Sequence, residues 1–391
     1  MILFDFSGLG TRVLLAPGSS SRIKEEVERA GVKRVMLFCG GKTARNALVA
    51  SVRKLLGNLI VAEFAQVSEH SSTSAVHEAC DRARTAQADL LLAIGGGSAS
   101  DTAKAVAIVL AEGGPINRHA NIFTPPDHYV QRVLPMKKVP IVVIPTTLSA
   151  AEVTPGLGIR NEEDGRKLVF WDSNVVPAAI LLDPQANLEV PTQIMATTGL
   201  NAFAHCIEGL YSRVRNPISE GLALQGIRLL YRSLPTVVAS PQDVDARAEA
   251  LVGAHLSGMV IANARVGIHH GVCNCLGAFG GLSHGVANAV FLPHAMRYNL
   301  DVAAEQLQLT AAAMGLDVRG LPRAQAAEKA IEATANLQSL VKAPSRLRDT
   351  GIGRAKFPEI ARQSMGDRGL YFNPRPVGSI DEVMRLLDAS W

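Results

Sequence analysis

Short apolar runs bounded by polar or glycine-containing turns mark the first half of the chain at residues 34–39, 59–64, 89–94, 139–144 and 178–182. Between several of them the apolar positions recur at helical spacing, as in 72–88 and 100–111. This alternation predicts a mostly parallel sheet covered by helices. Two extended stretches within 156–172 flank Asn161-Glu162-Glu163-Asp164-Gly165, which reads as a hairpin turn. Residues 112–138 hold several prolines and little periodicity, and read as an irregular excursion. After Asp183-Pro184 the pattern changes. Pro191 reads as a helix start, and long Ala/Leu-rich helical periods follow, broken at Pro217, Pro235, Pro241, Pro293, Pro322 and Pro344. No further strand and no internal repeat stands out. The pattern predicts an α/β nucleotide-type domain over 1–185 and an all-helical domain over 186–391. Clefts between two such domains are favoured ligand sites.

Composition agrees with two globular domains: 391 residues, 48% apolar and 19% charged. The 39 basic and 35 acidic residues leave a scattered net charge of +4, which gives no footprint for nucleic acid or a membrane surface. No apolar stretch approaches the roughly 18–20 residues of a membrane span. The N-terminus carries Asp5 and no basic segment, unlike a signal peptide. Five cysteines without a CxxC pair suggest reduced thiols in a cytoplasmic protein. Cys273 and Cys275 lie among histidines, yet read as buried, inert thiols rather than ligands.

Candidate chemistry begins with GGGSASDTAK at 95–104, directly after the 89–94 run. Gly95, Gly96 and Gly97 let the backbone approach a bound group, and a following helix N-terminus offers N–H groups to an anion. Ser98 adds a hydroxyl and Lys104 a positive charge, so a pyrophosphate site is expected. A tight turn with Asp101 as capping carboxylate would use the same residues without a ligand. The pattern is neither GxGxxG nor a P-loop. A second loop, IPTTLSAAEVT at 144–154, offers Thr146, Thr147 and Ser149 to phosphate or amide groups, or caps its own backbone. Ligands bind at the carboxyl ends of parallel strands, where both loops fall.

Three histidines complete the constellation. Asn201 and His205 are four residues apart on one helix face; His270 lies in GIHHGVCNC and His284 in GLSHGVANA. Asn plus three His is a conceivable divalent-metal site without an anionic ligand, which lowers its affinity.

These segments, with LLDPQANLEVP and the stretch from Gly267 to Asn299, resemble the signatures of the iron-type (group III) alcohol dehydrogenases, over about residues 8–300 and in the family's order. The resemblance implies the fold shared with dehydroquinate synthase: an α/β dinucleotide-binding domain plus an all-α C-terminal domain. It implies NADH or NADPH as cofactor. Gly95, Gly96, Gly97, Ser98 and Asp101 would hold the pyrophosphate, with Thr146, Thr147 and Ser149 near the nicotinamide and phosphates. The family's metal ligands, an Asp and three His, fall on Asn201, His205, His270 and His284. A further family histidine falls on Asn274. Iron or zinc is thus implied but weakened by Asn201.

The Asn at 201, the paired His269-His270 and VSEHSST at 67–73 resemble the maleylacetate reductase branch, which works without a bound metal. That likeness implies a reductase of an acidic oxo substrate, used in aromatic-compound catabolism. GGGSASDTAK and the segment from Ser283 read instead like the alcohol dehydrogenases proper, which keeps a metal-dependent aldehyde reductase open. Rival readings are a dehydroquinate-synthase-like lyase and a catalytically degenerate binding homologue. After the 34–39 run, Gly40-Gly41-Lys42 carries no acid for a ribose 2′-OH, and Lys42 suits a 2′-phosphate, so NAD and NADP both stay open. The expected partners are an anionic small molecule and, for an enzyme of this size, a second copy of the chain as a dimer. Phe170, Phe279 and Arg265 are candidates to line the cleft.

Overall fold

The computed structural model describes residues 4–68, 71–125 and 128–391. They form two compact units. One comprises Gly8–Ile122 and Val130–Val190; the other comprises Met1–Ser7, Phe123–Tyr129 and Pro191–Trp391. The chain passes to the helical unit for good after Val190, against an expected boundary at 185.

The first unit follows β1 (Arg12–Leu15), α1 (Ile23–Arg29), β2 (Val35–Phe38), α2 (Ala47–Leu56), β3 (Ile60–Phe64), α3 (Thr73–Thr85), β4 (Leu90–Gly95) and α4 (Gly97–Glu112). Next along the chain come two short paired strands, β5 (Ile122–Thr124) and β6 (His128–Val130), within the stretch read as irregular; most of this ribbon belongs to the other unit. Then come β7 (Ile141–Pro145), the antiparallel hairpin β8 (Gly156–Arg160) and β9 (Lys167–Trp171), and β10 (Ala179–Leu182). The main sheet has the order β1-β10-β7-β4-β2-β3 and is parallel throughout. Alternate residues of its strands face opposite helix layers. Leu90, Leu92 and Ile94 pack with Ile23, Val27, Val49 and Val52 of α1 and α2. Leu91 and Ala93 pack with Val76, Cys80, Ala103 and Val106 of α3 and α4. Two covered faces explain why these strands read as unbroken apolar runs. The chain leaves β2 toward one layer and the adjacent β4 toward the other, which makes their carboxyl ends a topological switch point.

The second unit is helical: α5 (Thr192–Tyr211), α6 (Pro217–Ala239), α7 (Val244–Ala264), α8 (Ile268–Ala278), α9 (His284–Tyr298), α10 (Leu300–Ala313), α11 (Arg323–Leu340), α12 (Phe357–Ser364), α13 (Gly369–Phe372) and α14 (Ile380–Ala389). Among the described residues no strand follows β10. The proline punctuation is corrected at two places: Pro235 lies inside α6 and Pro293 inside α9. Leu234 and Val237 are buried beside Pro235, and Leu292 beside Pro293. Burying such side chains, each worth about 1.5–3 kcal/mol, offsets the roughly 3 kcal/mol of an interior proline. Among the described residues no single helix is long and apolar enough to cross a membrane.

Candidate active site

In the α/β unit, β4 runs straight into the glycine triplet. Gly95 ends the strand at φ +146°, Gly96 precedes α4, and Gly97 opens it. A Cβ at Gly96 would sit 3.2 Å from the Thr147 side chain; one at Gly97 would sit 3.1 Å from both Ser149 Oγ and Ala151 Cβ. Glycine is what lets the two predicted loops lie side by side. Thr146 N–H donates to Gly95 O at 2.9 Å and fixes their register. No side chain caps α4, so its first N–H groups remain for a ligand. Among the described residues, the buried Thr147 hydroxyl beside Gly96 has no hydrogen-bond partner. Gly40 lies at the carboxyl end of β2 against Val67 O, and Lys42 is exposed there. Close backbone, an uncapped helix and an orphaned hydroxyl at a switch point fit a dinucleotide diphosphate. Of the 67–73 stretch, Glu69 and His70 lie outside the described residues; Ser71 hydrogen-bonds Thr102 Oγ1 and, at 3.3 Å, Ser98 O on α4.

Lys104 corrects an expectation. It is not a phosphate-facing charge: its ammonium is fully buried and donates to the carbonyls of Ala151 (2.7 Å), Thr154 (2.5 Å) and Gly156 (3.3 Å). Asp101 does not cap α4 either; its carboxylate accepts Gly158 N–H at 3.1 Å, on the hairpin. Glu152 is buried in the same group. Burial pushes Lys104 down to about 8 and Glu152 up to about 7. Folded Glu152 therefore keeps a proton that the unfolded chain releases near its ordinary value of 4.5. Between these values the folded state binds more protons, so this group lowers stability as pH rises through that window. Glu152→Gln removes the effect. The variant should gain in melting temperature over the parent between pH 5 and pH 8, by no more than about 3 kcal/mol of stability. Parallel melting curves across that range would contradict it.

In the helical unit, α5 carries Asn201, His205 and Glu208 on one face, and the starts of α8 and α9 supply His269, His270 and His284. The His205 and His270 rings stack with centroids 4.6 Å apart; His270 and His284 lie 5.7 Å apart. His270 Nε2 is 3.1 Å from Asn201 Oδ1, and its Nδ1 hydrogen-bonds the Glu208 carboxylate. Glu208 was not read from the sequence as part of this group. It is wholly buried, and its other oxygen accepts Gly267 N–H (2.8 Å) and His269 N–H (3.0 Å). Its spacing, one helical turn beyond His205, was the available signal.

These contacts fix proton positions. The Ser257 hydroxyl donates to Ala254 O (2.7 Å), so its oxygen accepts Nδ1–H of His205 (3.3 Å) and the His205 lone pair lies on Nε2. Burial, then the charge of His270, pushes His205 well below its ordinary range, so it is neutral. His269 Nε2–H donates to Asn288 O at 2.9 Å. Burial alone would raise Glu208, but His270 and His269 hold its carboxyl well below the usual carboxylate range. The group thus contains one buried carboxylate balanced by a proton on the imidazole pair, as buried charge requires.

The donor set tests the metal implied above. An amide and three imidazoles provide no anionic ligand, and Glu208 stands behind His270 rather than among the four. Glu208, His269 and His270 also bring ligand-type atoms within 4.8 Å of one another. There, backbone N–H groups and imidazole protons already occupy the carboxylate. The first set lacks the anionic ligand that strengthens iron binding, although three imidazoles are a known zinc-type set, and the second is already occupied by protons. Asn274, one turn after His270, is half-buried and donates to Asp367 Oδ2 at 2.9 Å. Cys273 and Cys275 are buried thiols raised by burial, Cys275 to about 12. Phe170 belongs to the sheet core.

Residues 10–184 match the iron-containing alcohol dehydrogenases, and residues 195–391 match the C-terminal part of the Fe-containing alcohol dehydrogenase family. The chain is 32% identical over 379 residues to lactaldehyde reductase of Escherichia coli strain K12, covering 96% of each. It is 30% identical over 379 residues to maleylacetate reductase of Pseudomonas aeruginosa, covering 96% of this chain and 94% of that one. Its fold superposes on a crystal structure of 1,3-propanediol oxidoreductase with a TM-score of 0.91, at 29% identity and full coverage of both chains. The α/β unit with its glycine triplet, the helical unit with its histidines and these likenesses together place the chain in the iron-containing alcohol dehydrogenase family.

Proposed function

We propose that this oxidoreductase reduces an acidic oxo substrate of the maleylacetate kind with NADH or NADPH, and that it does so without a resident metal. The observation that carries the reading is the pairing of a neutral donor set around Asn201 with a proton-bearing Glu208–His270 couple. The α/β unit would hold the dinucleotide through Gly95, Gly96, Gly97, Ser98, Thr146, Thr147 and Ser149; when bound, it supplies the hydride. Hydride addition to a carbon in or conjugated with a carbonyl leaves negative charge on the oxygen. His270 answers that charge. Its ring is held by Glu208 at Nδ1 and presents Nε2 toward Asn201. A proton delivered from this couple to the oxygen completes the reduction, and solvent restores it. Neutral His205, stacked on His270, excludes water from the ring face. Lys42, exposed after β2, suits a 2′-phosphate, and paired NADH and NADPH kinetics measure that preference.

The test is a substrate panel containing maleylacetate and lactaldehyde, read by nicotinamide absorbance with and without exhaustive chelation. Maleylacetate reduction should survive chelation. Asn201→Asp should then increase iron or zinc retention in elemental analysis. Activity that dies with chelator and revives with Fe²⁺, on lactaldehyde alone, would make the chain a metal-dependent alcohol dehydrogenase instead.

A further inference from the structure

The segment 367–373 is clasped onto the first turn of α8, the turn that carries His270. Asn373 Oδ1 accepts Ile268 N–H at 3.2 Å, and a Cβ at Gly369 would lie 2.8 Å from Gly267 O. Arg368 belongs to this segment. Its guanidinium carbon lies 3.2 Å from the Tyr129 ring centroid and 4.9 Å from that of Phe372. Among the described residues, no carboxylate lies within ion-pair distance of Arg368. Arg265 leads into the same turn. It ends α7 at φ +65°, a left-handed conformation that strains any residue but glycine, two positions before Gly267. Both side chains are half-buried. Burial and then the charge of Arg368 push Arg265 down to about 10, and burial lowers Arg368 as well.

Two like charges are thus gathered, partly out of water, beside the one turn that presents the reacting imidazole. Of the carboxylates at that turn, Glu208 is taken up by the histidines, and Asp367 accepts from Gly369 N–H and Asn274 Nδ2. A guanidinium lying flat on an aromatic ring keeps its N–H edge for in-plane pairing with a carboxylate, which lysine cannot reproduce. Backbone strain retained at a charged residue next to a reactive turn points to use rather than packing. We infer that Arg265 and Arg368 form a carboxylate-binding subsite that selects dicarboxylate substrates and seats their anionic end beside His270. The inference deepens the acidic-substrate reading and rests on it for the substrate class.

The experiment measures succinate, a dicarboxylate that cannot be reduced here, both by calorimetry on the NADH-loaded enzyme and as a competitor of maleylacetate. The proteins are the parent, Arg368→Gln, Arg368→Lys and Arg265→Gly. The glycine variant relieves the strain and so keeps the fold testable. Each loss of a charge-assisted pair should weaken succinate, and raise KM for maleylacetate, by about 10- to 100-fold. Arg368→Lys should recover only part of this, and NADH affinity should stay within about twofold, since removing uniform substrate binding leaves the other ligand alone. Unchanged succinate affinity in the variants overturns the subsite even if maleylacetate is a good substrate. Weakened NADH with unchanged succinate assigns the pair to dinucleotide phosphates and overturns it too. A parent enzyme that ignores maleylacetate but binds succinate through these arginines would sink the proposed reaction and leave the subsite standing.

Discussion

Glu208→Gln should lower kcat by about 10²–10⁴-fold while leaving NADH binding intact. The substitution keeps the shape of the side chain and removes one property, the ability of both oxygens to accept. Its remaining oxygen can still take the N–H groups of Gly267 and His269, which anchor the start of α8. The amide nitrogen then faces His270 Nδ1, where the carboxylate stood. Two donors cannot share that contact, so the protonated ring must give up its Nδ1 proton and become neutral, holding a proton on Nε2 alone. The proton at the reacting side of the ring loses the negative charge that held it. Stopped-flow measurement of hydride transfer, with NADH fluorescence titration as the control, checks this. A folded Glu208→Gln enzyme turning over at the parent rate would remove His270 from the proton route.

Glu208 also shows where the sequence stops being readable. Asn201 and His205 stand out because an imidazole and an amide four residues apart share a helix face whatever surrounds them. A glutamate in a helix ordinarily reads as a solvated charge, and only the wholly buried environment of α5 turns Glu208 into the partner of His270. Lys104 failed for the same reason. Its place in the glycine motif suggested phosphate, but the second turn of α4 faces the loop after β7, where three carbonyls need a donor. The strands were legible because both sheet faces are covered, which makes them uniformly apolar. The exception is β1, an edge strand of alternating half-buried and exposed residues, which carries little of that signal. Pro235 and Pro293 look like helix ends to local propensity, and packing of α6 and α9 overrides it. Contacts distant in sequence, such as Asp367 with Asn274, leave no local trace at all.

The opposite kinetic pattern is expected at Lys104. Lys104→Met keeps the length and apolar stem of the side chain and deletes the ammonium. The carbonyls of Ala151, Thr154 and Gly156 then lose their shared donor where water does not reach. Asp101 and Glu152, buried alongside, lose the nearer cation, and Asp101 keeps only the weaker influence of Lys167. Deleting one partner of a buried charge arrangement costs about 3–5 kcal/mol. The loss falls on the loop after β7, where Ala150 is already held at φ +60°. With its tie to α4 gone, the loop relaxes away from the glycine triplet, and the close approach of Thr147 and Ser149 to Gly96 and Gly97 opens. KM for the dinucleotide should therefore rise by about tenfold or more, whereas kcat at saturating NADH changes little, because the helical unit keeps its imidazoles. Calorimetric unfolding gives the stability and initial rates give the KM. A variant with parental melting temperature and cofactor KM would show that the buried ammonium does not brace the site.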